Sequence, residues 1–293
     1  MAARALFAAP GALRALRGSG RRSGTVELVL SGGVYLRVEE DWVLVTEAGA
    51  VFGPLSIAVA GLERGALHPG QRVSVRGERL KIGNQGVSLE RVRERPPAAR
   101  AAPAGPGPDG GADGRSLAGG PFAAAIGGPP VGLAPGLRAL VRGRVEQAVR
   151  LLAGRGEGLT PAGDDALAGY AAWRHSTGRP VAISGLAAGR SSPLGLAYLR
   201  CAERGELPGA GVALLAALRS NGHAAASAAA LTLRGWGASS GDAMLWGIAA
   251  GAKREGFILD CPPMGWAGQD GSRCRRGRGP LPNPPAAEPR TSD

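Results

Sequence analysis

The chain carries the same ten-residue frame twice, and this repeat restricts the folds open to it. Residues 163–172 read G-D-D-A-L-A-G-Y-A-A and residues 241–250 read G-D-A-M-L-W-G-I-A-A, so both fit G-D-x-x-L-x-G-x-A-A. A segment rich in glycine and hydroxyl residues precedes each copy. The pattern predicts two buried helices that each begin at a polar, glycine-rich loop. Helix N-termini carry unpaired N–H groups and positive partial charge, so two of them together would form an anion site.

The loop before the first copy contains most of the candidate groups for chemistry. Thr160 supplies a hydroxyl, and Asp164 and Asp165 follow at the start of the predicted helix. We assign these three residues a catalytic role, and the two adjacent carboxylates are also candidate ligands for Mg²⁺. The alternative that the carboxylates only cap the helix stays open. Glycine lets a backbone approach a ligand closely, so we expect three glycines to hold the anion by their N–H groups: Gly156, Gly158 and Gly163.

Two further loops offer similar groups. One precedes the second copy of the frame and repeats the polar start of the first helix, and the other lies between the two copies. The middle loop contains an arginine, which can clamp a carboxylate or phosphate with two parallel hydrogen bonds. We therefore predict that seven more residues contact a small anionic substrate: Arg190, Ser191, Ser192, Ser239, Ser240, Gly241 and Asp242.

Composition argues against several classes of protein. Only Lys81 and Lys253 of the 35 basic residues are lysines, a bias typical of a GC-rich genome, so the net charge of +12 does not select a nucleic acid as partner. The three cysteines form no C-x-x-C pair, which fits a reducing compartment. No apolar run reaches the length of about 18 residues that a membrane span needs. These features predict a cytoplasmic protein without a membrane partner.

The hydrophobic pattern divides the chain into five segments and predicts an α+β fold. The acid-free, Arg- and Ala-rich residues 1–23 are expected to form a disordered leader. Residues 24–94 contain six or seven short strands, which predicts a small β-barrel or sandwich with a hairpin around residues 31–33. Residues 95–130 are rich in Pro, Ala and Gly and predict a linker or long loop. A mainly helical module is expected over residues 131–261, and a disordered basic tail over residues 262–293.

Within the helical module the pattern predicts particular elements. Apolar positions from 137 to 152 form one stripe with helical spacing that ends near Gly154. Residues 181–183 are typical of a short strand. Further helices are predicted over residues 194–202, 210–218 and 224–233, before the second copy of the frame.

Residues 154–169, G-R-G-E-G-L-T-P-A-G-D-D-A-L-A-G, resemble the signature of a bacterial family long described as a domain of unknown function. The family is typified by the AllH subunit of oxamate carbamoyltransferase, which acts in allantoin catabolism. Residues 239–247 and the segment from Ser191 are similar to two further blocks, so the resemblance covers about residues 24–260. Ala238 stands where the family usually has a histidine, and Gly195 stands where it has a serine.

The resemblance implies that the chain is one of several different subunits of a carbamoyltransferase. Such a complex converts oxalurate and phosphate into oxamate and carbamoyl phosphate, and this subunit would bind a small anion between the two glycine-rich helix ends. Main-chain donors and hydroxyls would then stabilise developing charge. Two alternatives stay open: a non-catalytic scaffold or regulatory subunit, and a protein that binds another phosphate metabolite.

Overall fold

The structure is a computed structural model that describes residues 3–18, 20–48, 52–95, 132–220 and 222–256. Apart from Arg95, the predicted linker at 95–130 lies outside the described residues, and so does the predicted tail at 262–293. The described residues belong to one compact unit, in which a β-barrel precedes a group of helices. The predicted α+β fold is therefore confirmed. No helix within the described ranges is long and apolar enough to cross a membrane.

Alternating inward apolar and outward polar residues build the barrel. Its eight strands are β1 (Ala3–Ala8), β2 (Arg21–Leu30), β3 (Gly33–Val38), β4 (Asp41–Thr46), β5 (Ser56–Ala60), β6 (Arg72–Arg76), β7 (Arg79–Ile82) and β8 (Gln85–Ser88). They follow the order β5-β4-β3-β2-β6-β7-β8-β1, and β1 also pairs with β5, which closes the barrel. A short ninth strand, β9 (Arg93–Glu94), pairs with β1. The predicted hairpin is present as the antiparallel pair β2–β3.

The prediction that residues 1–23 form a disordered leader is wrong. This segment contains β1, which joins β8 to β5, and helix α1 (Pro10–Leu16), of which only Arg14 is not buried. Arg14 Nη1 donates to Oε1 of the buried Glu206 at 2.7 Å and so ties the segment to the helices. Alanines supply much of the buried surface here. Alanine is only weakly hydrophobic and arginines lie between these alanines, so the sequence did not show the alternating pattern of a strand.

Strands β3 and β4 are buried on both faces, which attaches the barrel to the helices. Their inward side chains join the barrel core. On the outer face Tyr35 and Leu44 pack with Leu194 and Tyr198 of the helical part. This packing explains why both strands are almost continuously apolar in sequence.

The helical part begins with two short helices where the sequence predicted one. The chain turns at Gly143, which has φ +72°, and this left-handed conformation interrupts the apolar stripe. Residues 181–183 form no strand, so that prediction is wrong. The remaining predicted helices are present, and the full set is α2 (Ala134–Val141), α3 (Val145–Leu152), α4 (Ala162–Ser176), α5 (Ser184–Ala187), α6 (Pro193–Ala202), α7 (Gly209–Arg219), α8 (His223–Arg234) and α9 (Ser240–Arg254).

The two helices of the repeated frame, α4 and α9, cross through the second glycine of each copy. A Cβ atom added to Gly169 would lie 2.1 Å from the carbonyl oxygen of Met244. One added to Gly247 would lie 1.9 Å from the carbonyl oxygen of Ala166. Met244 and Ala166 hold the same position in their copies, so the crossing has approximate twofold symmetry.

The first glycine of each copy packs on the end of the preceding helix. A Cβ atom on Gly163 would meet the carbonyl oxygen of Leu152 at 1.9 Å, and one on Gly241 would meet that of Leu233 at 1.8 Å. Each copy is thus the second helix of a helix–loop–helix unit. Close backbone contact accounts for all four glycines of the repeated frame.

Candidate functional site

The loops before α4 and α9 open onto a cavity of about 710 Å³ between the barrel and the helices. The barrel contributes the β2–β3 turn and parts of β3 and β4, while α6 and α9 contribute Tyr198 and Met244. The structure brings five of the predicted site residues together in the lining of this cavity: Gly158, Thr160, Asp165, Ser239 and Ser240.

Asp165 is an incompletely bonded carboxyl group in the wall of this cavity. The residue is 2% exposed, and its Oδ2 atom has no hydrogen-bond partner among the described residues. Burial raises the pKa of Asp165 from 3.8 to about 7, although hydrogen bonding by Ser240 and Thr160 lowers it. The negative charge of Asp164 raises the pKa further. A carboxyl group that exists in both protonation states near neutral pH is suited to accept or donate a proton.

We expect Asp165 to make the wild-type chain less stable as pH rises from about 4 to about 7. Its pKa in the folded state, about 7, lies above the 3.8 of the unfolded chain, so the folded state binds the proton more tightly. The resulting stabilisation is complete below 3.8 and is lost as pH rises through 7. The Asp165→Ala variant lacks this contribution. As pH rises from about 4 to about 7, its unfolding free energy should therefore increase relative to that of the wild type. Urea denaturation at several pH values measures this, and a pH-independent difference would contradict it.

Hydroxyl groups surround the Asp165 carboxyl group on two sides. Thr160 Oγ1 and Ser240 Oγ lie 3.3 Å apart and join the loops of the two copies. On the side of the barrel, the Tyr35 and Tyr198 hydroxyls lie 3.1 Å apart. Burial raises the pKa of both tyrosines, and the charge of Asp165 raises each further. Both tyrosines are therefore protonated at neutral pH and can donate hydrogen bonds.

Asp164, in contrast, holds two loops together. Its Oδ1 accepts from the Gly154 N–H at 2.8 Å and its Oδ2 accepts from Ser191 Oγ at 2.6 Å. Burial raises the pKa of Asp164, while these two hydrogen bonds lower it. Asp164 and Asp165 thus face different partners, and their predicted role as Mg²⁺ ligands stays a prediction. The described part of the chain also contains no group of three or more His, Cys, Asp or Glu side chains placed to hold a metal ion.

The other predicted site residues lie outside the lining of this cavity: Gly156, Gly163, Asp164, Arg190, Ser191, Ser192, Gly241 and Asp242. The Gly163 N–H donates to the Arg155 carbonyl oxygen, and the Gly241 N–H donates to that of Trp236. These two N–H groups therefore have partners within the chain.

Three of these polar side chains lie at helix ends or on the surface. Ser192 caps α6 by accepting from the Gly195 N–H at 2.9 Å. Asp242 accepts from Arg234 Nε at 2.8 Å, at the end of the helix that precedes its own. Arg190 is exposed to solvent. Asp242 thus does in the second copy what Asp164 does in the first, since each binds the segment at the end of the preceding helix.

The symmetry of the two copies fails at Asp165. The equivalent position in the second copy is Ala243, which is fully buried. An apolar residue therefore suffices for the helix crossing at this position. The crossing itself therefore does not require the acid that the first copy has at this position.

Several residues of the cavity wall were not predicted from the sequence. Tyr35, Leu44, Thr46, Tyr198 and Trp236 line the cavity and come from strands, a helix and a loop that are far apart in the chain. The one sequence signal for this wall was the nearly continuous apolar character of β3 and β4, which indicates strands that are buried on both faces. The lining contains Glu157 and Asp165 but no Arg, Lys or His from the described residues.

The part of the chain that forms the helical wall of the cavity also carries the family resemblance. Residues 152–252 match the model of the family described as oxamate carbamoyltransferase subunit AllH. The resemblance to the AllH family is therefore confirmed over this range, which contains both copies of the frame. The barrel lies outside the matched range, so its expected likeness to the AllH family stays a prediction. No curated protein and no solved structure gives a significant match to the chain.

Proposed function

We propose that the chain is a subunit of an oxamate carbamoyltransferase-like complex and that the cavity at Asp165 binds oxalurate or oxamate. Two findings support this: the match of residues 152–252 to the AllH family and the position of Asp165 in the cavity. The unpartnered Oδ2 atom of Asp165 is the observation that carries the proposal. A buried polar atom without a partner costs free energy, which a ligand donor can recover.

The chemistry of the substrate fits this wall. Oxalurate ends in a ureido group whose N–H groups can donate to the Asp165 carboxylate. Thr160 and Ser240 already hydrogen-bond that carboxylate, but the contact between the Tyr35 and Tyr198 hydroxyls uses only one of their two hydrogens, so the other can donate to a carbonyl oxygen of the substrate. Charge-assisted hydrogen bonds, such as those to the carboxylate, are stronger than neutral ones.

Asp165 would also move a proton during carbamoyl transfer. A phosphate oxygen attacks the carbamoyl carbon of oxalurate, and the bond between that carbon and the nitrogen of the oxamate half breaks. The Asp165 carboxylate takes the proton of the phosphate hydroxyl as the oxygen attacks, and the resulting carboxylic acid gives that proton to the departing nitrogen. A pKa of about 7 makes both steps accessible near neutral pH.

Phosphate itself does not suit the described lining, which has two acids and no basic side chain. A phosphate dianion beside an ionised carboxylate is disfavoured unless cations offset the repulsion. Oxalurate carries a single negative charge at the end away from its ureido group, so it can approach Asp165 with its uncharged end. We therefore propose that a partner subunit supplies the groups that hold phosphate. This modifies the prediction that the glycine loops of this chain bind the phosphate.

The proposal predicts which ligands stabilise the full-length chain against heat. Oxalurate and oxamate are expected to raise Tm, because a ligand that binds only the folded state stabilises it by mass action. Inorganic phosphate alone is expected to leave Tm unchanged. Thermal unfolding with each compound at matched ionic strength tests this. Stabilisation by phosphate but not by oxalurate would contradict the assignment and favour a phosphate-metabolite site.

A scaffold or regulatory subunit is the second candidate, and a specific observation favours it. The four glycines of the frame and Asp164 are all explained by packing and hydrogen bonding within the chain. Asp165 is also hydrogen-bonded by Ser240 and Thr160, and only its Oδ2 atom has no partner among the described residues. If neither oxalurate nor oxamate binds, the scaffold function becomes the better account of the repeat.

A further inference from the structure

One side of the barrel carries a row of arginines on its outer surface. The strand register places Arg21 opposite Arg76, and Arg76 opposite Arg79. The row continues through Ser88 to Arg4 on β1. Residues directly opposite in a sheet point to the same face. With strands about 4.8 Å apart, the row spans roughly 19 Å.

Two parallel rows extend this surface. In the next row Ser23 faces Ser74, which faces Lys81. In the third, Thr25 lies between Arg37 and Arg72. Residues of these rows line a groove of about 900 Å³ that also reaches Arg21. We call the whole surface the cationic face, and its basic residues are Arg4, Arg21, Arg37, Arg72, Arg76, Arg79 and Lys81.

Most of these cations lack a counterion within the described part of the chain. Arg37 pairs with Glu40, but no salt bridge joins any of the other six to a described acid, and all six are exposed. Of the acids nearby, Glu39 is paired with Arg22, whereas Glu27 accepts from the uncharged Thr25 and Glu78 lies exposed in the β6–β7 turn, so these acids offset only part of the charge of the seven cations. The face therefore has a concentrated positive charge.

Like charges directly opposite each other destabilise a sheet. Three arginines in one register row therefore cost stability in the isolated chain, and an anionic partner would relieve the repulsion. We propose that the cationic face is a docking surface for an acidic segment of another protein. Carboxylates suit it because guanidinium groups bind them through paired hydrogen bonds.

The residue types on the face favour an acidic polypeptide over a single-stranded nucleic acid. Between the cations the three rows contain Ser23, Thr25, Ser74, Gly86 and Ser88. None of these side chains is aromatic, and Trp42, which follows Arg37 in the third row, is buried, so the face offers no exposed ring on which bases could stack. Serine and threonine hydroxyls can instead donate hydrogen bonds to carboxylates or to main-chain carbonyl groups of a peptide.

Fluorescence anisotropy with a labelled oligoglutamate peptide tests this on the full-length chain at low salt. We expect saturable binding that the Arg76→Gln, Arg79→Gln double variant weakens by roughly tenfold. The matched control is Arg150→Gln, Arg200→Gln, which removes the same charge from exposed positions on α3 and α6. It should leave the affinity unchanged. Both substituted positions on the barrel are exposed, so the fold is expected to persist, and circular dichroism checks this.

Two results would overturn the proposal. Equal weakening by the control variant would mean that the peptide senses only the net charge of the chain. Tighter binding of a labelled single-stranded oligonucleotide, with the same dependence on Arg76 and Arg79, would identify the face as a nucleic-acid surface. Neither result would bear on the cavity at Asp165, which lies at another part of the barrel.

Discussion

We expect the Asp165→Asn variant to bind oxalurate about 10- to 100-fold more weakly than the wild-type chain. The amide keeps the size of the carboxyl group but removes the charge that strengthens hydrogen bonds from the ureido N–H groups. Calorimetric titration at pH 8, where the wild-type carboxyl is mostly ionised, gives the largest contrast. The variant should stay folded, because the fully buried Ala243 holds the same position in the second copy.

Asp242→Asn is the matched control for this experiment. Asp242 holds in the second copy the position that Asp164 holds in the first; it lies outside the cavity lining and pairs with Arg234 on the surface. Its replacement should change oxalurate affinity less than about twofold, because Asp242 does not line the cavity. It should also leave the fold intact, since surface ion pairs contribute little to stability. Equal affinities of wild type and Asp165→Asn would remove Asp165 from the binding site.

The largest effect on stability is expected at the helix crossing. Gly247→Ala places a methyl group 1.9 Å from the Ala166 carbonyl oxygen and 2.8 Å from the Tyr170 amide nitrogen. Both are backbone atoms of α4, so relief requires the helices to separate. We expect a loss of about 3 kcal/mol in unfolding free energy and a fall in Tm of about 10 °C. Chemical and thermal denaturation measure the two quantities.

Gly185→Ala serves as the comparison for the crossing variant. Gly185 lies in helix α5, and a Cβ atom there would have no neighbour within 4 Å. Since alanine favours helix more than glycine does, this variant should match or exceed wild-type stability by up to about 1 kcal/mol. A similar loss in both variants would show that close packing of α4 and α9 is not the reason for the glycine.

The main elements of the fold could be predicted because their patterns are local. Alternating residues gave the strands from β2 to β8, and helical spacing gave α4 and α6 to α9. Strand β1 was not predicted because its buried residues include alanines next to an arginine, a composition that is also typical of a leader. The break between α2 and α3 at Gly143 was not predicted because the apolar stripe continues across it.

The candidate site could be predicted only on its helical side. The loops before α4 and α9 supplied Thr160, Asp165, Ser239 and Ser240, which the structure brings together. In the repeat Asp164 matches Asp242 and Asp165 matches Ala243, but this difference does not reveal that Asp165 faces the cavity while Asp164 binds Gly154 and Ser191. Their roles differ because adjacent residues on a helix point in directions about 100° apart.

The barrel side of the cavity depends on tertiary packing that no local pattern encodes. Tyr35 reaches the cavity because the outer face of β3 packs on α6, where Tyr198 lies. The separation of these two residues in sequence is large, and neither belongs to a motif. The resemblance to the AllH family also gave no help here, because its confirmed range begins after the barrel, at residue 152.

The most direct test of the proposed site is a crystal structure of the full-length chain with oxalurate. We predict that the ureido group lies within hydrogen-bonding distance of Asp165 Oδ2, with Thr160 and Ser240 beside the substrate. Oxalurate bound elsewhere, with the cavity at Asp165 holding only water, would contradict the proposal that this cavity is the substrate site.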